Sequence, residues 1–110
     1  MKPRIISVLA AALLVGLPVA APAAPATVTV HIKNFKFVPA ALAVPAGSSV
    51  TFVNDDQEPH TVTATDKSFD SEGLDASQTW THAFAKAGSF GYFCEMHPYM
   101  HGTISVKAPQ

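Results

Sequence analysis

Residues 94–100 read Cys94-Glu95-Met96-His97-Pro98-Tyr99-Met100, and they hold most of the chemistry in this chain. A thiolate, an imidazole and a thioether fall within seven residues, at a spacing that lets one tight loop aim Cys94, His97 and Met100 at a single point. Cys94 is also the only cysteine, so no disulfide can form within the chain. A lone thiol in a protein bearing an export signal needs another reason to be there, and a bound metal is the leading one.

The export signal is read from the N-terminus. Lys2 and Arg4 form a short positive region, and residues 5–17 are mostly apolar. Such a run is the length of a signal-peptide core and falls short of the roughly 20 apolar residues that span a bilayer. Ala21-Pro22-Ala23 and Ala24-Pro25-Ala26 both fit the A-x-A cleavage pattern. The expected organisation is a signal peptide over residues 1–26, cleaved after Ala23 or Ala26, and one domain over residues 27–110. The alternative is an uncleaved membrane anchor; no lipidation cysteine follows the apolar run, so a lipoprotein is not expected, and the reading adopted is a chain with no stable membrane association. Beyond the signal there are five basic and eight acidic residues, a net charge of −3 with histidines neutral. That balance argues against nucleic-acid binding, which wants a basic face. A domain this small, with no disulfide, gains much from a bound metal.

The elements that must position the donors are strands throughout. Val28, Val30 and Ile32 alternate with polar neighbours, and Phe35 and Phe37 extend the alternation towards Pro39. Residues 41–44 form a second run, closed by the turn signal Pro45-Ala46-Gly47. Residues 49–53 read as a core strand, 54–59 as a polar acidic loop, and 61–65 as another strand. Residues 66–77 read as a polar connection with a short strand near Phe69. Trp80, His82 and Phe84 share one side of the next strand. Residues 89–94 and 102–107 are the last two. The expected fold is all-β, a Greek-key β-sandwich of seven to eight short strands, with a small OB-like barrel as the alternative.

On this plan Phe90, Tyr92 and Cys94 face the core, and the thiol enters one pole of the sandwich. His60, between a loop and a strand, is a natural fourth donor, although its position alone leaves open whether it is a ligand. Two imidazoles, one thiolate and a weak axial thioether form the set used by blue-copper electron-transfer sites. Soft sulfur suits Cu(I), imidazole is comfortable with Cu(II), and a compromise geometry changes little between them. Each residue also has a bland reading: Cys94 as a small hydrophobe, His97 as a solvated loop residue, Met100 as a core plug. Met96 should point away from the loop's focus. His101 and His31 read as exposed, and His82 as a sandwich histidine beside Trp80 and Phe84.

At this point the sequence resembles the cupredoxins, and most of all the amicyanin branch of the plastocyanin and azurin family. The residues that carry the resemblance are Asn34-Phe35-Lys36-Phe37-Val38-Pro39, Val44-Pro45-Ala46-Gly47, Val50-Thr51-Phe52-Val53-Asn54, Pro59-His60-Thr61-Val62 and the Tyr92 to Met100 stretch. The Cys-x-x-His-Pro-x-Met loop is specific when a Pro-His lies upstream at this distance. The resemblance implies one copper ion, cycling between Cu(I) and Cu(II), held by His60, Cys94, His97 and Met100. It departs from the family in two places. Thr61 stands where many members have an asparagine that braces the ligand loop, and its hydroxyl is a possible replacement. Glu95 and Met96 stand where amicyanins commonly have Thr-Pro.

The expected function is an exported one-electron carrier, periplasmic if the source is bacterial, and not an enzyme. Donor and acceptor proteins would dock transiently near His97, Pro98 and Tyr99, and the carrier would act as a monomer. The main rival is a copper chaperone or buffer that uses Met96, His97, Met100 and His101 as an exchangeable Cu(I) site. Multicopper oxidases and copper nitrite reductases share the fold but need further domains. Zinc suits Cys-x-x-His spacing but not the methionine. Tyr92-x-Cys94 mimics the tyrosine corner of immunoglobulin-like domains, without the second cysteine they pair.

Overall fold

The computed structural model describes residues 3, 16, 17 and 24–109. The expected signal peptide therefore lies almost wholly outside the described residues, and among those described no helix is long and apolar enough to cross a membrane. Eight strands form: β1 (Thr27–Lys33), β2 (Lys36–Val38), β3 (Ala41–Pro45), β4 (Ser48–Asn54), β5 (Thr63–Ala64), β6 (Thr79–Phe84), β7 (Gly88–Phe93) and β8 (His101–Lys107). One sheet has the order β2-β1-β4-β6 and the other β3-β8-β7-β5. Two four-stranded sheets rule out the OB-like barrel, which is a single five-stranded sheet. The pairs β1–β4 and β3–β8 are parallel and the rest antiparallel.

Alternation decides which faces meet. Val30, Ile32, Val50 and Phe52 from the first sheet join Val44, Tyr92, Ile104 and Val106 from the second in one buried cluster. Each such aliphatic or aromatic side chain contributes about 1.5–3 kcal/mol by leaving water. Gly47 turns the chain from β3 into β4 with φ +90°, a conformation that other residues rarely adopt.

Three expectations needed correction. The alternation through Phe35 and Phe37 does not continue one strand, because the chain reverses at Asn34 and Phe35 (φ +54° and +57°) and returns as β2. No glycine marks this turn. Its two N–H groups are instead held by the Asp56 carboxylate, at 2.7 Å from Asn34 and 2.9 Å from Phe35. The expected strand over 61–65 pairs as a sheet strand only at Thr63 and Ala64. Residues 66–77, read as a polar connection, fold back across it: His60 and Leu74 exchange backbone hydrogen bonds (3.0 and 2.7 Å), and Ser71 N–H reaches Val62 O (2.9 Å). The expected strand near Phe69 is no more than a bridge between Thr63 and Asp70. Phe69 and Leu74 are buried, which closes the side of the sandwich next to His60.

Candidate metal centre

β7 delivers Cys94 to the pole just past its last residue, fully buried, with its N–H bonded to Met100 O (3.1 Å). His97 N–H reaches Cys94 O (3.3 Å) and Met100 N–H reaches His97 O (2.8 Å), so residues 94–100 coil into a tight, self-bonded loop. Across from it stands His60, held between β4 and β5 by the bridge to Leu74. Asn54 shapes the loop before it. Its side-chain N–H groups bond Glu58 O (2.8 Å) and Leu74 O (2.9 Å), and its Oδ1 accepts Asp56 N–H (3.0 Å).

The donor atoms of His60, Cys94 and His97 all lie within 4.8 Å of one another. Cys94 Sγ is 3.8 Å from His60 Nδ1 and 3.7 Å from His97 Nδ1. Metal–nitrogen and metal–sulfur bonds of about 2.05 and 2.3 Å would put N and S about 3.8 Å apart around a trigonal ion and about 3.6 Å around a tetrahedral one. The spacing fits a metal ion. His60 Nε2 faces Asp56 Oδ2 at 2.9 Å, and a carboxylate can only accept, so the ring's proton sits on Nε2 and Nδ1 presents a lone pair to the sulfur. Electron-rich atoms gathered in a dry pocket call for a cation between them.

Asp56 is nearly buried. Burial alone would push its carboxyl up, but the N–H groups of Phe35 and Asn34 and the His60 ring together hold it below the ordinary carboxylate value. Phe35, carried on the same clamped turn, sits edge-on to both imidazoles, with ring centroids 5.2 Å from His60 and 5.0 Å from His97. Thr61 braces the loop on two sides: its N–H points at Cys94 Sγ (3.3 Å), and its hydroxyl accepts Glu95 N–H (2.9 Å). Met100, at the loop's end, is buried in the core cluster with Cys94.

A family model described as Cupredoxin-like domain matches residues 5–106. The chain belongs to the cupredoxin-like family. It is 34% identical over 96 residues to amicyanin from Paracoccus versutus, covering 82% of this chain and 73% of that protein. A Cu(I) structure of an amicyanin variant superposes with a TM-score of 0.70 at 26% identity, over 74% of this chain and 82% of the other. A copper-containing nitrite reductase from Thermus scotoductus gives a TM-score of 0.72 at 31% identity, over 86% of this chain but 25% of that much longer one.

In this cupredoxin the remaining sulfur and imidazole groups among the described residues stand apart from the cluster. Met96 is half-exposed and reaches towards Gly73, and His101 is exposed at the start of β8. His31 is exposed and paired with Asp55 (2.6 Å). The neighbours of His82 are aromatic: it stacks on Trp80 (5.3 Å, 17°) and touches Phe69 and Phe84, and burial lowers its pKa from the ordinary 6.5. Sequence reasoning missed Asp56 and Phe35. The one available signal was a carboxylate four residues before His60, and acidic loops are too common for that to stand out.

Proposed function

We propose that this cupredoxin is an exported copper protein that carries single electrons between redox partner proteins. The observation that carries the reading is the cluster of His60 Nδ1, Cys94 Sγ and His97 Nδ1, at distances suited to one ion. Copper held there would supply a one-electron couple between Cu(I) and Cu(II). His60, Cys94 and His97 would hold it as strong ligands and Met100 as a weaker one. Asp56 keeps the His60 ring in the tautomer that can bind. Thr61 N–H, aimed at the sulfur, offsets its negative charge. These supports are in place in the folded chain, so little has to move when the charge at the centre changes.

His97 is the electron port. It is only partly buried, with Pro98 and Tyr99 exposed beside it and Tyr99 67% exposed. A small exposed apolar surface beside the port favours weak, short-lived docking of a redox partner to a monomeric carrier. Export is supported by the residues preceding the domain, and cleavage after Ala23 fits best. Ala26 is tied to β4 through Ser48 Oγ (3.1 Å) and Ser49 N–H (2.9 Å), and cleavage after Ala23 keeps both bonds whereas cleavage after Ala26 removes them.

Reconstitution of metal-free protein with Cu(II) tests the reading by visible absorption and electron paramagnetic resonance. The expected result is an intense blue, tightly bound complex that Cys94→Ser abolishes. A nearly colourless complex that readily releases copper would replace electron transfer with copper delivery, and an unchanged spectrum in Cys94→Ser would reject the site.

A further inference from the structure

Behind the ligand loop runs a line of hydroxyl groups. Glu95 N–H donates to Thr61 Oγ1 (2.9 Å), Thr61 Oγ1 lies 2.9 Å from Thr63 Oγ1, and Thr63 Oγ1 lies 3.2 Å from Asp70 Oδ1. The two ends fix the direction of every bond. A backbone N–H can only donate and a carboxylate can only accept. The Thr61 proton must therefore go to Thr63, and the Thr63 proton to Asp70. Thr61 and Thr63 are buried and Asp70 is exposed, so the line connects the pole of the sandwich to its surface. Each buried hydroxyl both gives and receives, and each bond in such a line polarises the next.

We propose that Thr63 and Asp70 are positioning residues for the metal centre. Through the Thr61 hydroxyl they pin the peptide between Cys94 and Glu95 before any metal arrives. Neither touches a candidate ligand. Thr61 is placed to pass the constraint on, because it straddles Cys94, with its N–H on the sulfur and its hydroxyl on the next amide. The line also explains how a short hydroxyl can serve at this position: Thr61 alone would leave its own buried proton without an acceptor. The functional meaning of the proposal rests on the copper reading, but its geometry does not.

Hydrogen exchange of individual amides in the metal-free protein tests it, comparing Glu95 with Ile104 in the middle of β8. Thr63→Val removes both the acceptor and the donor, and should speed Glu95 exchange about tenfold relative to Ile104. Thr63→Ser, which keeps the hydroxyl, should restore it. Asp70→Ala removes the acceptor at the exposed end, which also receives Glu72 N–H, and should move Glu95 in the same direction by roughly threefold while Ile104 stays unchanged. After Cu(II) loading, Thr63→Val should shift the visible spectrum and Thr63→Ser should not. Glu95 exchange that stays unchanged in both Thr63→Val and Asp70→Ala, that rises only in step with Ile104, or that serine fails to restore, overturns the proposal. A wild-type protein that forms no blue complex overturns the copper reading instead, and leaves the exchange result to judge this one.

Discussion

Tyr92→Phe should make the protein more stable. The Tyr92 ring is completely buried, edge-on between Phe37 (4.7 Å, 78°) and Phe52 (5.4 Å, 79°). Its hydroxyl is the one buried side-chain polar atom among the described residues without a hydrogen-bond partner. The ring lies over Gly102, its cross-strand neighbour, so closely that a Cβ there would collide with the hydroxyl oxygen. Burial pushes the phenol's pKa well above its ordinary value of 10, so the group stays neutral. A buried hydroxyl with no partner costs about 1–3 kcal/mol. Removing its oxygen opens a void of about 10 Å³, which at 24 cal/mol per Å³ costs roughly 0.2 kcal/mol. The net gain should be about 1 kcal/mol or more, and Tm should rise by about 4–8 °C for each kcal/mol in a domain of this size. Urea titration of the metal-free proteins at neutral pH measures it. A loss of about 1 kcal/mol or more would refute the reasoning, since the hydroxyl would then have a partner that the packing conceals.

Glu95→Gln should raise the reduction potential, because an exposed negative charge beside the centre favours the more positive Cu(II) state. The screened interaction is worth about 1 kcal/mol at most, or on the order of 40 mV in a protein-film voltammogram. An unchanged or lower potential would count against it. Tyr99→Lys should slow electron exchange with a partner by roughly tenfold and leave the visible spectrum intact, since it alters the docking patch and not the donors. Stopped-flow kinetics would show this, and equal rates would exclude Tyr99 from the docking face. For His82 the folded pKa is depressed, so the unfolded chain takes up its proton first as pH falls through 6.5. Its contribution to stability is full above that value and declines below it. The stability of wild type minus that of His82→Phe should therefore be smaller at pH 5 than at pH 8 in urea melts, and a flat difference would show that the ring is not desolvated.

Much of this was legible in the sequence because the signals are local. Period-two alternation placed β1, β6 and β7, β-branched and aromatic residues placed β4, and Pro45-Ala46-Gly47 placed the turn into β4. The grouping of Cys94 with His97 follows from their spacing, since three residues is all a tight loop needs. What the sequence concealed depends on partners distant along the chain. The reversal at Asn34 and Phe35 has no glycine because a carboxylate more than twenty residues away stabilises it. Residues 66–77 look polar because only Phe69 and Leu74 face inward, and alternation cannot register two isolated positions. His60 was undecided by position alone; its approach to Cys94 is set by the Leu74 bridge and by Asn54, neither of which leaves a pattern around residue 60.

The order in which the donors occur along the polypeptide has a consequence for biogenesis. During synthesis His60 emerges long before any thiol, and the other two clustered donors arrive together, just ahead of β8. β8 must then lie parallel to β3 before the second sheet is complete. A growing polypeptide thus lacks the complete donor set until its C-terminal part is made. The full donor set is assembled only when both sheets of the sandwich have formed, so the surroundings in which folding finishes also decide which metal is on offer.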